Sequence, residues 1–242
     1  MSADAVPVSA VSPGAMATGP TTPSAIILAA GEGRRLGYRA KASLRVDGSS
    51  LLERLSTALR AAGIHELAVV IGPYRDQLLP LAHACGAQVL QHPQAGATLI
   101  DSQRLALDHH LAQQGDADLL LVLADLPFLT AAHIQALLEH WRQRAPGVDA
   151  QMPLVAGVRG HPLILSRHAV EAIAATPREL GVRDWLGRHP ERVRAVNASQ
   201  PAYVSDIDTA TDVTALRAAL APQIVSWPDA ASARKPTPDA SS

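Results

Sequence analysis

Short apolar runs alternate along this chain with longer stretches in which apolar side chains return every three or four positions. Runs of strand length cover 25–30, 67–71, 87–91 and 119–124. Helical periodicity fits 51–62, 75–84, 98–113 and 131–144. In the first of these, Leu51, Leu52, Leu55, Ala58, Leu59 and Ala62 share one face, Ser50 stands at the N-cap and Gly63 follows the end. This alternation predicts βαβ units on a largely parallel sheet. The second half changes rhythm. Residues 151–155 and 161–165 flank Ala156-Gly157-Val158-Arg159-Gly160 and predict a hairpin; helices at 167–175 and 179–188, a strand at 193–197 and a last helix at 210–220 follow. There is no internal repeat.

A sheet of this kind binds ligands beyond the carboxyl ends of its strands. The segments after Ala30, Ile71, Gln91 and Ala124 are therefore the ones to inspect. After Ala30 come Gly31, Gly33 and Gly37, with Arg34 and Arg35 between the last two and Lys41 beyond them. Glycines let backbone N–H groups approach a ligand closely, and arginine and lysine in the same loop suit a polyphosphate. The spacing is not a P-loop, since Tyr38 follows Gly37 and Ala42 follows Lys41. Nor is it a dinucleotide fingerprint, because three residues rather than two separate Gly33 from Gly37.

Asp125 ends the apolar run 119–124 just before Leu126-Pro127. A carboxylate there is costly to bury unless it is paired or holds a cation, although a turn or capping aspartate before Thr130 is the plain alternative. With the glycine loop upstream, Mg²⁺ ligation is the favoured reading. Asp206 and Asp208 fall on one side of an extended segment before the last helix, where two carboxylates repel unless a cation lies beside them. Capping by Asp208 or Thr209, with Asp212 at the positive end of the helix dipole, is the alternative. Arg159-Gly160-His161-Pro162 reads either as a turn or as a site-facing element that could hold an anion. Thr98, Asp101 and Ser102 read as an ordinary capped helix start.

Composition narrows the class. The 242 residues hold 21 basic and 22 acidic side chains, and only three Trp, three Tyr and one Phe. A nucleic-acid surface needs basic patches and stacking platforms, so a small-molecule enzyme is the better expectation. Apolar runs fall short of the roughly 18 residues of a membrane span. The single cysteine, Cys85, excludes an internal disulfide and suits a reducing cytoplasm. Residues 1–23 and 221–242 are rich in Ala, Ser, Thr and Pro and are expected to be disordered tails, the first lacking the features of a signal peptide. Ten histidines show no ligand spacing such as H-E-x-x-H.

Leu28, Ala29, Ala30, Gly31, Gly33, Arg35, Leu36, Gly37 and Lys41 match the signature L-A-A-G-x-G-x-R-[LM]-G followed by Lys. On these residues the chain resembles the MobA-like nucleotidyltransferase family from about Ser24 to about Leu220, most closely its molybdenum cofactor cytidylyltransferase branch. The resemblance implies an α/β fold, a three-layer Rossmann-like sheet of GT-A type with helices on both faces and a small hairpin insertion. It implies one domain over 24–220, in which Leu28, Ala29, Ala30, Gly31, Gly33, Arg35 and Lys41 hold a nucleoside triphosphate. Arg35 and Lys41 would act catalytically on its phosphates, and Asp125 and Asp208 would bind Mg²⁺, with Asp206 in support. Arg159, Gly160 and His161 would line the acceptor pocket. The implied reaction moves CMP from CTP to molybdopterin, releasing pyrophosphate, in the cytoplasm, with a molybdoenzyme or its chaperone as recipient. Nucleic acid and membrane are not expected partners. Leu-Ala-Ala-Gly favours the cytidylyl branch over the guanylyl branch, which reads L-A-G-G. Lys41 stands one place later than in the cofactor enzymes, a spacing also found among sugar- and alcohol-phosphate nucleotidyltransferases. Two further readings differ in class: an NADPH-dependent oxidoreductase on the same scaffold, and a non-catalytic cofactor carrier.

Overall fold

The computed structural model describes residues 22–92, 96–113 and 115–228. In chain order, β1 (Ser24–Ala29) leads through the glycine loop to β2 (Arg45–Val46), β3 (Ser49–Ser50) and α1 (Leu51–Ala61). There follow β4 (Leu67–Ile71), α2 (Arg75–Ala84), β5 (Gln88–Gln91), α3 (Leu99–Gln113), β6 (Leu119–Leu123) and α4 (Ala131–Arg142). The second half adds β7 (Ala150–Val155), β8 (Val158–Arg159), β9 (Leu163–Leu165), α5 (Arg167–Ala174), α6 (Val182–Arg188), β10 (Val193–Asn197), α7 (Ala210–Leu220) and β11 (Val225–Ser226).

The main sheet runs β10-β7-β9-β6-β1-β4-β5, with β8 paired to β7. β1 sits near its middle, parallel to both β4 and β6, while β9 runs antiparallel to β6 and β7. Helices cover both faces, which is why the central strands read as unbroken apolar runs rather than alternating ones. Ala25, Ile27 and Ala29 face a core closed by α1, α2 and α4 through Leu55, Leu78 and Ile134. Ile26 and Leu28 face the opposite core, closed by α3, α5 and α6 through Leu107, Val170 and Trp185. This is the expected three-layer α/β architecture.

A third cluster lies to one side. Leu44, Val46, Leu51, Ile207, Val213, Leu216 and Val225 pack together beneath a three-stranded sheet, β11-β2-β3, and α7. The expectation that order ends at 220 therefore falls short. Val225 pairs with Val46 in an antiparallel ladder and is buried, because strand addition satisfies backbone groups that composition alone does not reveal. Residues 1–21 and 229–242, the rest of the two expected tails, lie outside the described residues.

Two other expectations are modified. The arms of the predicted hairpin do pair, Gln151 opposite Ile164, but a tighter turn returns Val158 to Val155 between them. The helix expected from 179 begins at Val182, because buried Arg104 draws the preceding carbonyls of Ile173, Pro177 and Leu180 onto its guanidinium and holds that segment as a loop. No helix among the described residues is long and apolar enough to cross a membrane.

Candidate active site

The glycine loop is built by backbone constraints. Gly33 takes φ 58°, and a Cβ there would collide with the carbonyl oxygen of Arg39. Both Leu36 and Tyr38 donate their N–H to the Gly33 carbonyl, and Gly37, at φ 71°, donates to Arg34. The loop thus folds over a single tight turn, Arg34–Leu36, that carries both arginines. Tyr74, which the sequence reading did not single out, pins it from below by donating its hydroxyl to the Glu32 carbonyl at 2.7 Å. Burial, with help from Glu32, pushes the Tyr74 hydroxyl up to about 12, so it remains a donor at any physiological pH. The available signal was its place just past the carboxyl end of β4, after Gly72-Pro73. Gly72 itself lets that end approach β1, since a Cβ would come within 2.6 Å of the Ala30 oxygen.

Four residues expected at the site converge. Lys41, in the short turn Lys41–Ser43, donates from Nζ to Asp125 Oδ2 at 2.8 Å and also to Asp208 Oδ1. Arg35 donates from Nη2 to Asp208 Oδ2. Burial disfavours the Lys41 ammonium, but Asp125 and Asp208 outweigh it and hold the group above its ordinary range. The hydrogen bond from Lys41 holds the Asp208 carboxyl below its usual range. Asp206 goes the other way: burial, then the neighbouring Asp125 carboxylate, pushes it up.

The capping alternatives are decided by geometry. Thr130 caps α4 in a reciprocal pair with His133, and Thr209 caps α7 in another with Asp212. Asp212 also accepts from the backbone N–H of Asp208. Asp125 and Asp208 are thereby released from capping, and their carboxylates face the cleft. Asp125, Asp206 and Asp208 each offer an oxygen within 4.8 Å of the others. Asp125 Oδ1 is buried with no hydrogen-bond partner among the described residues. An orphaned anionic oxygen beside two further carboxylates fits a hard divalent cation, which takes oxygen ligands and substrate phosphates.

These groups stand at one side of a cleft of about 240 Å³. Leu28, Ala29, Ala30 and Gly31 line it, together with Lys41, the three aspartates, and Thr98, Leu99 and Ser102 at the start of α3. Thr98 and Asp101 do exchange capping hydrogen bonds, as expected. Thr98 and Ser102 nevertheless also face the cleft, and His92 Nε2 lies 3.1 Å from the Ser102 hydroxyl.

Residues 25–193 match the MobA-like NTP transferase domain. The chain belongs to that family. By family and fold it is a nucleotidyltransferase. It is similar to nicotine blue oxidoreductase of Paenarthrobacter nicotinovorans, 28% identical over 189 residues, which covers 76% of this chain and 91% of that protein. The structure of Rv0371c from Mycobacterium tuberculosis H37Rv superposes with TM-score 0.67 at 24% identity, covering 81% of this chain and 98% of that one. A manganese complex of the same protein gives TM-score 0.61 at 22% identity, over 83% and 100%. CMP:2-keto-3-deoxy-manno-octonic acid synthetase complexed with CTP gives TM-score 0.66 at 14% identity, over 83% and 99%. The chain also matches bifunctional GlmU proteins, spanning only 26% and 29% of the length of two of them.

Of the other residues expected at this MobA-like site, Gly33 and Arg35 are not among those that line the cleft, Arg35 being tied to it through Asp208, and Arg159, Gly160 and His161 also sit apart from its wall. Arg159 is exposed on β8. Gly160 packs so closely on Tyr203 that a Cβ would collide with its carbonyl oxygen. His161 turns Nδ1 toward the Leu121 carbonyl at 3.5 Å. Burial lowers its pKa, opposed by the Leu121 carbonyl and by the charge of Asp206.

Proposed function

We propose that this MobA-like protein transfers CMP from CTP to a phosphorylated pterin, the molybdenum cofactor, with release of pyrophosphate, in the cytoplasm. The observation that carries the transfer chemistry is Lys41 set between Asp125 and Asp208 at the edge of a cleft lined by Leu28, Ala29, Ala30 and Gly31, where the glycine loop begins. An oxygen of the acceptor phosphate, already anionic, attacks the α-phosphorus; the new P–O bond forms as the bond to the β-phosphate bridging oxygen breaks, and pyrophosphate departs. No general base is required. Arg35 and Lys41 align the triphosphate and neutralise charge on it, while the turn at Gly33 presents backbone N–H groups. Asp125 and Asp208, with Asp206 beside them, would hold Mg²⁺, which when bound supplies charge neutralisation across the phosphates. Arg159, Gly160 and His161 would form the acceptor side, and the recipient of the product would be a molybdoenzyme or its chaperone.

Leu28-Ala29-Ala30-Gly31 supports cytosine over guanine, and a CTP complex and a manganese complex among the fold neighbours are consistent with both ligands. Likeness to nicotine blue oxidoreductase over 91% of that protein supports a second reading, NADPH-dependent redox chemistry. Thermal unfolding with CTP, GTP, ATP, UTP and NADPH, with and without Mg²⁺, separates the two. The expected result is a stabilisation largest for CTP and dependent on Mg²⁺, with pyrophosphate release abolished by Asp125→Ala. A shift with NADPH alone, indifferent to metal, would replace this reading with the redox one.

A further inference from the structure

We propose that the C-terminal strand β11 is a positioning element for the nucleotide loop, and that Trp227 acts on the loop through Arg39. The inference rests on the reading of that loop as a triphosphate cradle. It concerns a segment outside residues 25–193, the stretch that matches the family.

The strand is firmly tied to the body. Val225 and Ser226 pair with Val46 and Arg45. Asp47 donates its N–H to the Ile224 carbonyl at 2.9 Å and accepts the Ile224 N–H on Oδ1 at 2.8 Å. Arg217 Nε donates to the Val225 carbonyl at 3.1 Å, linking the strand to α7. The chain then carries the Trp227 ring to 5.2 Å from the guanidinium carbon of Arg39. That is cation–π range.

Arg39 is well placed to transmit this. Its carbonyl oxygen is the atom on which Gly33 closes, and the next residue, Ala40, is buried and precedes the turn that carries Lys41. Leu36, from the turn that carries Arg35, packs against the same apolar cluster as Trp227. The loop is thus held at two points by a cluster that β11 completes. Arg39 acts here as a handle on the backbone of the loop.

The test uses full-length protein. Trp227→Ala, Arg39→Ala and the double variant are compared with wild type for CTP affinity in the presence of Mg²⁺, with Trp227→Phe as the conservative control. A cation–π contact of this exposure corresponds to about a 2- to 10-fold loss in affinity. Each single variant is expected to raise KM for CTP by that factor with kcat within about twofold, the double to be no worse than either single, and Trp227→Phe to retain most of the wild-type affinity. Wild-type affinity in folded Trp227→Ala, or losses that add in the double variant, would overturn the proposal. A second readout does not need the nucleotide: amide exchange of residues 33–41 should accelerate in Trp227→Ala while β1 and β4 stay protected. Unchanged exchange there would equally overturn it. Wild type that binds no nucleotide, with loop exchange accelerated in Trp227→Ala, would sink the cytidylyltransferase reading and leave the positioning role standing. Should Trp227→Ala fail to fold, Arg39→Ala, a change at an exposed side chain, gives the same readouts.

Discussion

Lys41→Met removes the ammonium between Asp125 and Asp208 while keeping the apolar stem. At 2.8 Å from Asp125 Oδ2, a unit-charge pair in an effective dielectric of ~20 is worth about 6 kcal/mol before desolvation. The lysine side chain is only 18% exposed, so desolvation offsets roughly half of that, leaving about 3 kcal/mol. Losing it leaves three carboxylates with oxygens within 4.8 Å of one another and no ammonium between them. The variant is therefore expected to lose about 3 kcal/mol in chelator-treated buffer and to recover most of it with a divalent cation, since saturation at ~100 times the dissociation constant returns about 2.7 kcal/mol. Wild type should gain much less from the same cation without nucleotide, because the ammonium must first leave. Urea unfolding of both proteins with and without Mn²⁺ measures this directly. Equal stabilisation of the two by Mn²⁺ would refute the idea that ammonium and cation compete for the same oxygens. On the proposed function, turnover should be lost in Lys41→Met whichever way stability falls, because the ammonium that would neutralise the triphosphate is gone.

Gly33→Ala places a Cβ against the Arg39 carbonyl at φ 58° and should abolish Mg²⁺-dependent CTP binding, at about 1–2 kcal/mol for the left-handed backbone plus the cost of moving Arg39; isothermal titration reads the first and urea unfolding the second. Gly160→Ala should likewise push the Tyr203 turn, which leads into Asp206, and weaken Mn²⁺ binding in the presence of nucleotide more than it weakens nucleotide binding alone. His110 is fully buried, with Nδ1 3.0 Å from the Ser24 hydroxyl and Nε2 2.9 Å from the Ala117 carbonyl, and burial lowers its pKa. The folded state therefore binds this proton less readily than the unfolded chain, so its contribution is present above about pH 6.5 and is lost as pH falls through the lowered folded value. Urea midpoints across that window should fall more steeply for wild type than for His110→Gln; parallel curves would remove His110 as the cause.

The central sheet was legible because burial on both faces leaves an unmistakable sequence trace. β4, buried throughout, falls where its apolar run places it, and α2 and α7 fall where their periodicity does; β10, at the sheet edge with one buried residue, also matches its expected bounds. The small second sheet left no such trace. Two-residue strands such as Ser49–Ser50 have no periodicity to detect, and Ile224-Val225 is too short an apolar run to read as a strand when its partner lies far back in the chain. At the site, residue type and position made Asp125, the pair Asp206 and Asp208, Arg35 and Lys41 candidates, and the family resemblance supplied their expected roles. They did not separate capping from a site-facing role. That distinction came from Thr130 and Thr209, each of which already caps its own helix. Tyr74 and His92 escaped notice for a different reason: their partners, Glu32 and Ser102, are set by where loops close in space.

The three cores meet at Lys41. The turn that carries it starts from Ala40 and Ala42, which belong to the core under α1, and continues into Leu44 of the side cluster. Asp125 ends a strand shared by the two main cores, and Asp208 follows Ile207 of the side cluster. The main cores and the side cluster are packed separately, yet one ammonium bonds to carboxylates that flank both. That stitch holds Asp125 and Asp208 on one ammonium, with an oxygen of each and of Asp206 within 4.8 Å of the others. On the proposed reading, a triphosphate that drew Lys41 away would leave the carboxylates free for a cation beside the phosphates. On the same reading, the ion pair would hold the carboxylates in position for that exchange.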